Sequence, residues 1–173
     1  MNNTDTKKIV VMTGATSGIG ANAVELIAAQ PNMRIIIGAR GAHSEPEGAE
    51  VIPLDLASLA NVRVFADEVK QRLGGAHIDI LVLNAGIQPM DTTQRTVDGF
   101  ETTFAVNHLA HYLLARLLVP CRLTAVGWFL PRVIRMTRLW VLAGLRRLSR
   151  RSLRIPASAR NLVRILHRSS VFF

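Results

Sequence analysis

The chain of 173 residues holds a single cysteine, Cys121, which excludes a disulfide framework and a cysteine-built zinc site. Aromatic residues are scarce at 5%, and Tyr112 is the one tyrosine. No lysine follows Lys70 and no acidic residue follows Glu101. No apolar stretch approaches the roughly 18 residues of a membrane span. The opening MNNTDTKKIVVMTG has a polar head and an apolar run too short for a secretory signal. These absences fit a reducing compartment, and the expected location is cytoplasmic.

What is present is the composition of a globular domain, 49% hydrophobic, in a chain long enough for one real core. The net charge of +9 hides a division. Nine basic and twelve acidic residues leave positions 1–118 at −3, whereas twelve arginines without an acid leave 119–173 at +12. Such asymmetry ordinarily suggests a tail for nucleic acid or acidic membrane, and RVIRMTRLWVLAGLRRLSRR can be drawn as a basic amphipathic helix.

Upstream of that tail, hydrophobic periodicity alternates between two kinds. KIVVMTG (8–14), RIIIGAR (34–40), a run around Val51 to Leu54, and IDILVLNAG (78–86) read as buried strands. GIGANAVELIAAQPN reads as a helix stopped by Pro31, and LASLANVRVFADEVKQRLGG as an amphipathic helix closed by Gly74 and Gly75. A long helix is expected over VDGFETTFAVNHLAHYLLARLLV, 97–119. Strands alternating with helices predict an α/β fold, a doubly wound parallel sheet of Rossmann type, represented here by its N-terminal half.

TGATSGIG places Gly14, Gly18 and Gly20 between the first strand and the first helix. A dinucleotide needs a tight turn there, then backbone close to its pyrophosphate, then helix N-terminal amides aimed at it. Arg40 lies about 20 residues further on, where an acid would grip the ribose of NAD and an arginine suits the 2′-phosphate of NADP. No Asp or Glu occupies 34–44, so NADP is favoured over NAD. Asp55 precedes a helix and reads equally well as its N-cap. Asn84, Ala85 and Gly86 follow the fourth strand, at the carboxyl edge where such sheets bind ligands. Asn107 interrupts an apolar helix, which disfavours asparagine, and so asks for a bonding partner. His108 and His111, three apart and without a third ligand nearby, are expected on the helix surface and hold no metal.

Together TGATSGIG, GAR, LDL, LVLNAG and VDGFETTFAVNHLAHYLL resemble the short-chain dehydrogenase/reductase family over roughly residues 8–120, close to its retinol-dehydrogenase-like and protochlorophyllide-reductase-like members. The resemblance implies hydride transfer between NADP(H) and a small carbonyl or alcohol substrate. It implies that the stretch Gly14, Ala15, Thr16, Ser17, Gly18, Ile19 and Gly20 lines the cofactor, its phosphates above all. Arg40 would meet the adenosine 2′-phosphate, Asp55 and Leu56 the adenine, and Asn84, Ala85 and Gly86 the ribose. Asn107 would be the family's catalytic asparagine, holding a water in a proton relay. Family members continue with a fifth strand ending in a catalytic serine, then Tyr-x-x-x-Lys, and neither follows here. The fourth strand is therefore expected to keep a bare edge, and the long helix to lose the helix it meets in the family's dimer.

The tail accounts for this departure. Back-translated and read from the third base of each codon, 124–139 accommodates Gly-Gly-Arg-Val-Val-Leu-Thr-Ser-Ser-(Asp/Asn)-Thr-His-Asp-Pro-Ala, with the codons of Trp128 and Met136 fixing a valine and an aspartate. In the same offset LVRILHRSS (162–170) accommodates Arg-Ala-Tyr-Ser-Thr-Ser-Lys-Leu. The first is the missing strand with its serine and the second is Tyr-x-x-x-Lys. A base lost, or two gained, near codons 120–123 is thus expected, with 1–120 a dinucleotide-binding half-domain and 121–173 an out-of-frame tail, irregular or spuriously helical. On that reading the tail's charge is not evidence for nucleic acid, and the chain is expected to be inactive. The alternative is a non-catalytic dinucleotide-binding protein whose basic tail docks on acidic membrane or nucleic acid.

Overall fold

The computed structural model describes residues 7–41, 48–88 and 93–128. The expected course of 129–173 lies outside the described residues. Five parallel strands run in the order β3-β2-β1-β4-β5: β1 (Lys8–Thr13), β2 (Met33–Ala39), β3 (Ala49–Pro53), β4 (Ile80–Leu83) and β5 (Ala125–Trp128). The helices α1 (Gly18–Ala28) and α2 (Leu59–Leu73) make the crossovers β1–β2 and β3–β4. A composite helix makes the third, from β4 to β5. It comprises α3 (Thr102–Phe104), a π-helical turn (Ala105–Leu109), α4 (Ala110–Leu118) and a 3₁₀ turn (Val119–Cys121).

The apolar strands are buried on both faces because each face has its own helices. Val10, Met12, Ile35, Ile37 and Val82 pack with Ala23, Val24 and Ile27 of α1. The alternate residues Ile9, Val11, Ile36, Leu81 and Leu83 pack with Val62, Phe65 and Val69 of α2 and Ala110, Leu114 and Leu118 of α4. Alternation by two along each strand thus sorts a continuous apolar run into two cores. The order reverses between β1 and β4, so a crevice opens at their carboxyl ends, where such sheets take ligands.

Two expectations need correction. The long helix begins at Thr102, not at 97. Gly99 takes φ 82°, which breaks a helix, and Glu101 caps the helix that follows by accepting from the amides of Thr103 (2.8 Å) and Phe104 (2.7 Å). The edge of β4 is not bare either. Thr124 and Ala125 donate to the carbonyls of Ile78 (3.1 Å) and Asp79 (3.0 Å), and Ala125–Trp128 continues beside Ile80–Leu83. The physical reason is that a parallel ladder is made of backbone groups. An open strand edge accepts any extended segment that a preceding helix delivers to it. On this strand Val126, opposite the buried Leu81, is 40% exposed.

Candidate functional site

The loop from β1 to α1 is shaped by three glycines with different work. Gly14 has φ +67°, and a Cβ there would lie 2.5 Å from the Cα of Ala85. At Gly20 a Cβ would collide with the carbonyl oxygen of Gly14, so the loop closes onto the helix only if that side chain is absent. Gly18 has φ +56°, yet a Cβ there would meet nothing within 4 Å. Gly14 and Gly20 serve internal packing, while Gly18 faces open space in a conformation that favours glycine.

Helix α1 starts at this open position. Its N-cap, Ser17, is extended (φ −156°, ψ 159°) and makes no side-chain capping bond. Thr16, Ser17, Gly18 and Ile19 are exposed, whereas Ala15 and Gly20 are buried. The first amides of a helix lack intrahelical acceptors and sit at the positive end of its dipole. With no acid between Gly14 and Gly20, this is an anion-favouring cradle of the kind that takes a pyrophosphate.

The turn after β4 is bolted to the same loop. Asn84 donates from Nδ2 to the carbonyl of Gly14 at 2.9 Å, and the backbone amides of Asn84 and Ala85 both donate to Oγ1 of Thr13 at 3.1 Å. Gly86 follows, exposed. The position of Asn84–Gly86 after a strand is visible in the sequence, but the role of Thr13, the last residue of β1, through which the turn is held, is not.

Asn107 lies in the π-helical turn and is 2% exposed. Its Oδ1 accepts from the amide of Ile87 at 2.8 Å and its Nδ2 donates to the carbonyl of Ile87 at 2.9 Å. The side chain therefore completes both backbone groups of one residue in the loop after β4, in the way a sheet partner would. A π turn within an α-helix is rare and frequent at functional sites.

His111 corrects an expectation. It is not on the helix surface but fully buried, with Nε2 3.0 Å from Oγ1 of Thr13 and Nδ1 3.4 Å from the carbonyl oxygen of Asn107. Burial pushes its pKa down to about 4, with the Asn107 carbonyl pulling the other way and His108 adding to the depression. A signal for this was available: Asn107, His111, Leu114 and Leu118 fall on one helical stripe with apolar partners. His108 is half-buried, with its ring 5.4 Å from that of Phe104. Among the described residues no group of three His, Cys, Asp or Glu is placed to hold a metal.

Arg40, Asp55 and Leu56 lie just past the carboxyl ends of β2 and β3. Arg40 follows the end of β2, exposed and in no ion pair with a described residue. Asp55 is also exposed. Its Oδ1 accepts from the amide of Ala57 at 2.9 Å, a local turn, while the N-cap of α2 is Ser58, whose hydroxyl accepts from Asn61 at 3.3 Å. Leu56 is buried in the core beneath. Tyr112 is 52% exposed on α4, next to His111 in sequence and so rotated off the buried stripe.

Comparison with known proteins shows what the chain is similar to. The short chain dehydrogenase family profile matches residues 8–126, more than half of the chain. Protochlorophyllide reductase A, chloroplastic, of Oryza sativa subsp. japonica is 37% identical over 123 residues, which cover 64% of this chain and 31% of that protein. Retinol dehydrogenase 14 of Mus musculus is 39% identical over 135 residues, 65% of this chain and 39% of that protein. Among solved structures, Pseudomonas aeruginosa RhlG in its NADP active-site complex superposes with a TM-score of 0.53 at 27% identity, covering 70% of this chain and 51% of that one. The chain spans about a third of the length of the curated relatives it matches.

Proposed function

The chain belongs to the short chain dehydrogenase family, whose members use NAD(P) and act on small carbonyl or alcohol substrates, and from that premise we propose that it carries an NADP(H) site without a working catalytic apparatus. The observation that carries the proposal is the cradle: an open Gly18 at an exposed helix N-terminus, closed on one side by the Asn84–Gly86 turn. The backbone at Gly14, Ala15, Thr16, Ser17, Gly18, Ile19 and Gly20 would hold the phosphates. Arg40 would pair with the 2′-phosphate by charge-assisted hydrogen bonds, Asp55 and Leu56 would meet the adenine, and Asn84, Ala85 and Gly86 the ribose. The NADP complex of RhlG supports the choice of dinucleotide. When bound, a nicotinamide supplies hydride chemistry.

Reduction of a carbonyl also needs a proton at the developing alkoxide and a donor that orients the oxygen. Asn107 is the one member of the family's catalytic set that this chain retains, and here it bonds the backbone of Ile87. Tyr112 cannot replace the missing tyrosine, because it points away from the buried stripe and has Arg116 where the lysine would stand. We attribute the loss to residues 121–173 being read out of frame. The 40% exposure of Val126 on β5, beside the fully buried Leu81, supports that reading, since the backbone pairs while the side chain is only partly covered.

The test is a titration of the full chain with NADPH and NADH, read by nicotinamide fluorescence, beside an assay of NADPH oxidation over an aldehyde and ketone panel. The expected result is weak binding that favours NADPH, loss of that preference in Arg40→Leu, and no turnover. Equal affinity for both cofactors would remove the role of Arg40. Turnover that survives Asn107→Ala would show that chemistry occurs elsewhere. Retention on anionic vesicles or nucleic acid without any dinucleotide binding would favour a basic-tail docking protein instead.

A further inference from the structure

His111 is assigned no part in hydride transfer, yet its ring joins the two segments that the site depends on. Thr13 Oγ1 receives two backbone amides, from Asn84 and Ala85, each at 3.1 Å. A hydroxyl has two lone pairs and one proton. With both lone pairs directed at amides, the proton is left for the third neighbour, Nε2 of His111 at 3.0 Å. Nε2 must then be the bare nitrogen, and the ring proton resides on Nδ1, which faces the carbonyl of Asn107 at 3.4 Å. The donor count alone fixes one tautomer of a neutral ring.

We propose that His111 is a positioning residue for the dinucleotide cradle: by accepting the Thr13 hydroxyl proton it aims both Thr13 lone pairs at the turn that flanks the glycine loop, and it ties that turn to the π-helical segment bearing Asn107. This rests on reading the loop and turn as the nucleotide site. A merely space-filling residue would serve as well if it were apolar. Leucine at 111 would fill similar volume but leave the Thr13 proton without an acceptor, in a site where neither Thr13 nor residue 111 meets solvent.

The experiment uses the full chain, labelled with ¹⁵N-histidine and ¹⁵N backbone, and the variants His111→Leu and His111→Gln. At neutral pH the His111 ring is expected as the Nδ1–H tautomer. In His111→Leu, amide exchange at Asn84 and Ala85 should quicken by roughly three- to tenfold, the worth of one net hydrogen bond, and NADPH should bind more weakly by a similar factor. Exchange along α2 should stay as it was. His111→Gln, whose side-chain carbonyl can accept the same proton, should recover most of both losses. An Nε2–H tautomer, unchanged protection at the two amides, or a uniform rise that includes α2 would overturn the role of His111. If His111→Leu does not fold, the tautomer of the unaltered chain and the contrast of Thr13→Ser with Thr13→Val decide the matter: the Nδ1–H tautomer with protection kept in Thr13→Ser and lost in Thr13→Val supports the role, and any other pattern removes it. Failure of the unaltered chain to bind NADPH would overturn the cradle itself, a different result from the wrong tautomer or unselective exchange.

Discussion

Single atoms decide most at the glycine loop. Gly20→Ala would drive a methyl into the Gly14 carbonyl and should destabilise the fold by about 1–3 kcal/mol while abolishing dinucleotide binding. Gly18→Ala meets no atom and should cost about 1 kcal/mol from its positive φ, with the larger effect on cofactor affinity. Chemical denaturation of both variants beside NADPH titration separates the two cases; equal stability losses would contradict the geometry. His111 gives a pH dependence. Its folded pKa of about 4 lies below the ordinary histidine value of 6.5, so between those values the unfolded chain binds the extra proton. The stabilisation is complete above the unfolded value, is lost progressively as pH falls toward 4, and is flat below it, on the order of 3 kcal/mol in all. His111→Leu should flatten the stability profile over that window, and an unchanged slope would exclude His111 as its source. The glycines were legible in the sequence because spacing alone betrays them. His111 was legible only in part: its place on the apolar stripe marks it as inward-facing, but nothing local names its partner, a hydroxyl from a strand 98 residues away.

Among elements, the crossover from β4 to β5 departs furthest from expectation. Strands β1 to β4 were readable as short apolar runs bounded by turn residues, and helices α1 and α2 as periodic runs bounded by glycine, proline or a cap. The π turn was not, since one extra residue in a helical turn leaves no repeat to detect. Nor was β5, whose four residues carry no alternation and are placed by the open edge of β4. Asn107, a polar residue in an apolar helix, calls for a partner, and the partner is the backbone of Ile87. Asn107→Ala should therefore cost about 2–4 kcal/mol, through two lost hydrogen bonds and two backbone groups left unpaired. Hydrogen exchange should rise first at Ile87 and around the π turn. If protection at Ile87 stays intact, the two bonds are not what holds that loop.

For the molecule as a whole, the proposal of a shifted frame makes the strongest prediction. Restoring one base near codon 121 should yield a longer chain with the serine strand and Tyr-x-x-x-Lys in register, a cooperative melt, and measurable NADPH-dependent carbonyl reduction. A stop codon between the two motifs in the shifted frame would sink the proposal, as would a restored chain that folds and binds NADPH but reduces nothing. The charge division has its meaning at this scale too. Positions 1–118, at −3, contain every acid in the chain, while the +12 tail contains none, so a search for anionic partners guided by net charge would be following the tail and not the domain.

The Thr13 hydroxyl has a consequence in time. Its partners lie 71, 72 and 98 residues further along the chain. During synthesis at about 5–20 residues per second, β1 emerges several seconds before β4 exists and longer before His111 does. β2 can pair with one side of β1 early, while the side reserved for β4 stays open to the solvent or to a chaperone. The knot at Thr13 cannot be complete before residue 111 is made, so a nascent chain halted earlier would carry the glycine loop in full and the means of shaping it only in part.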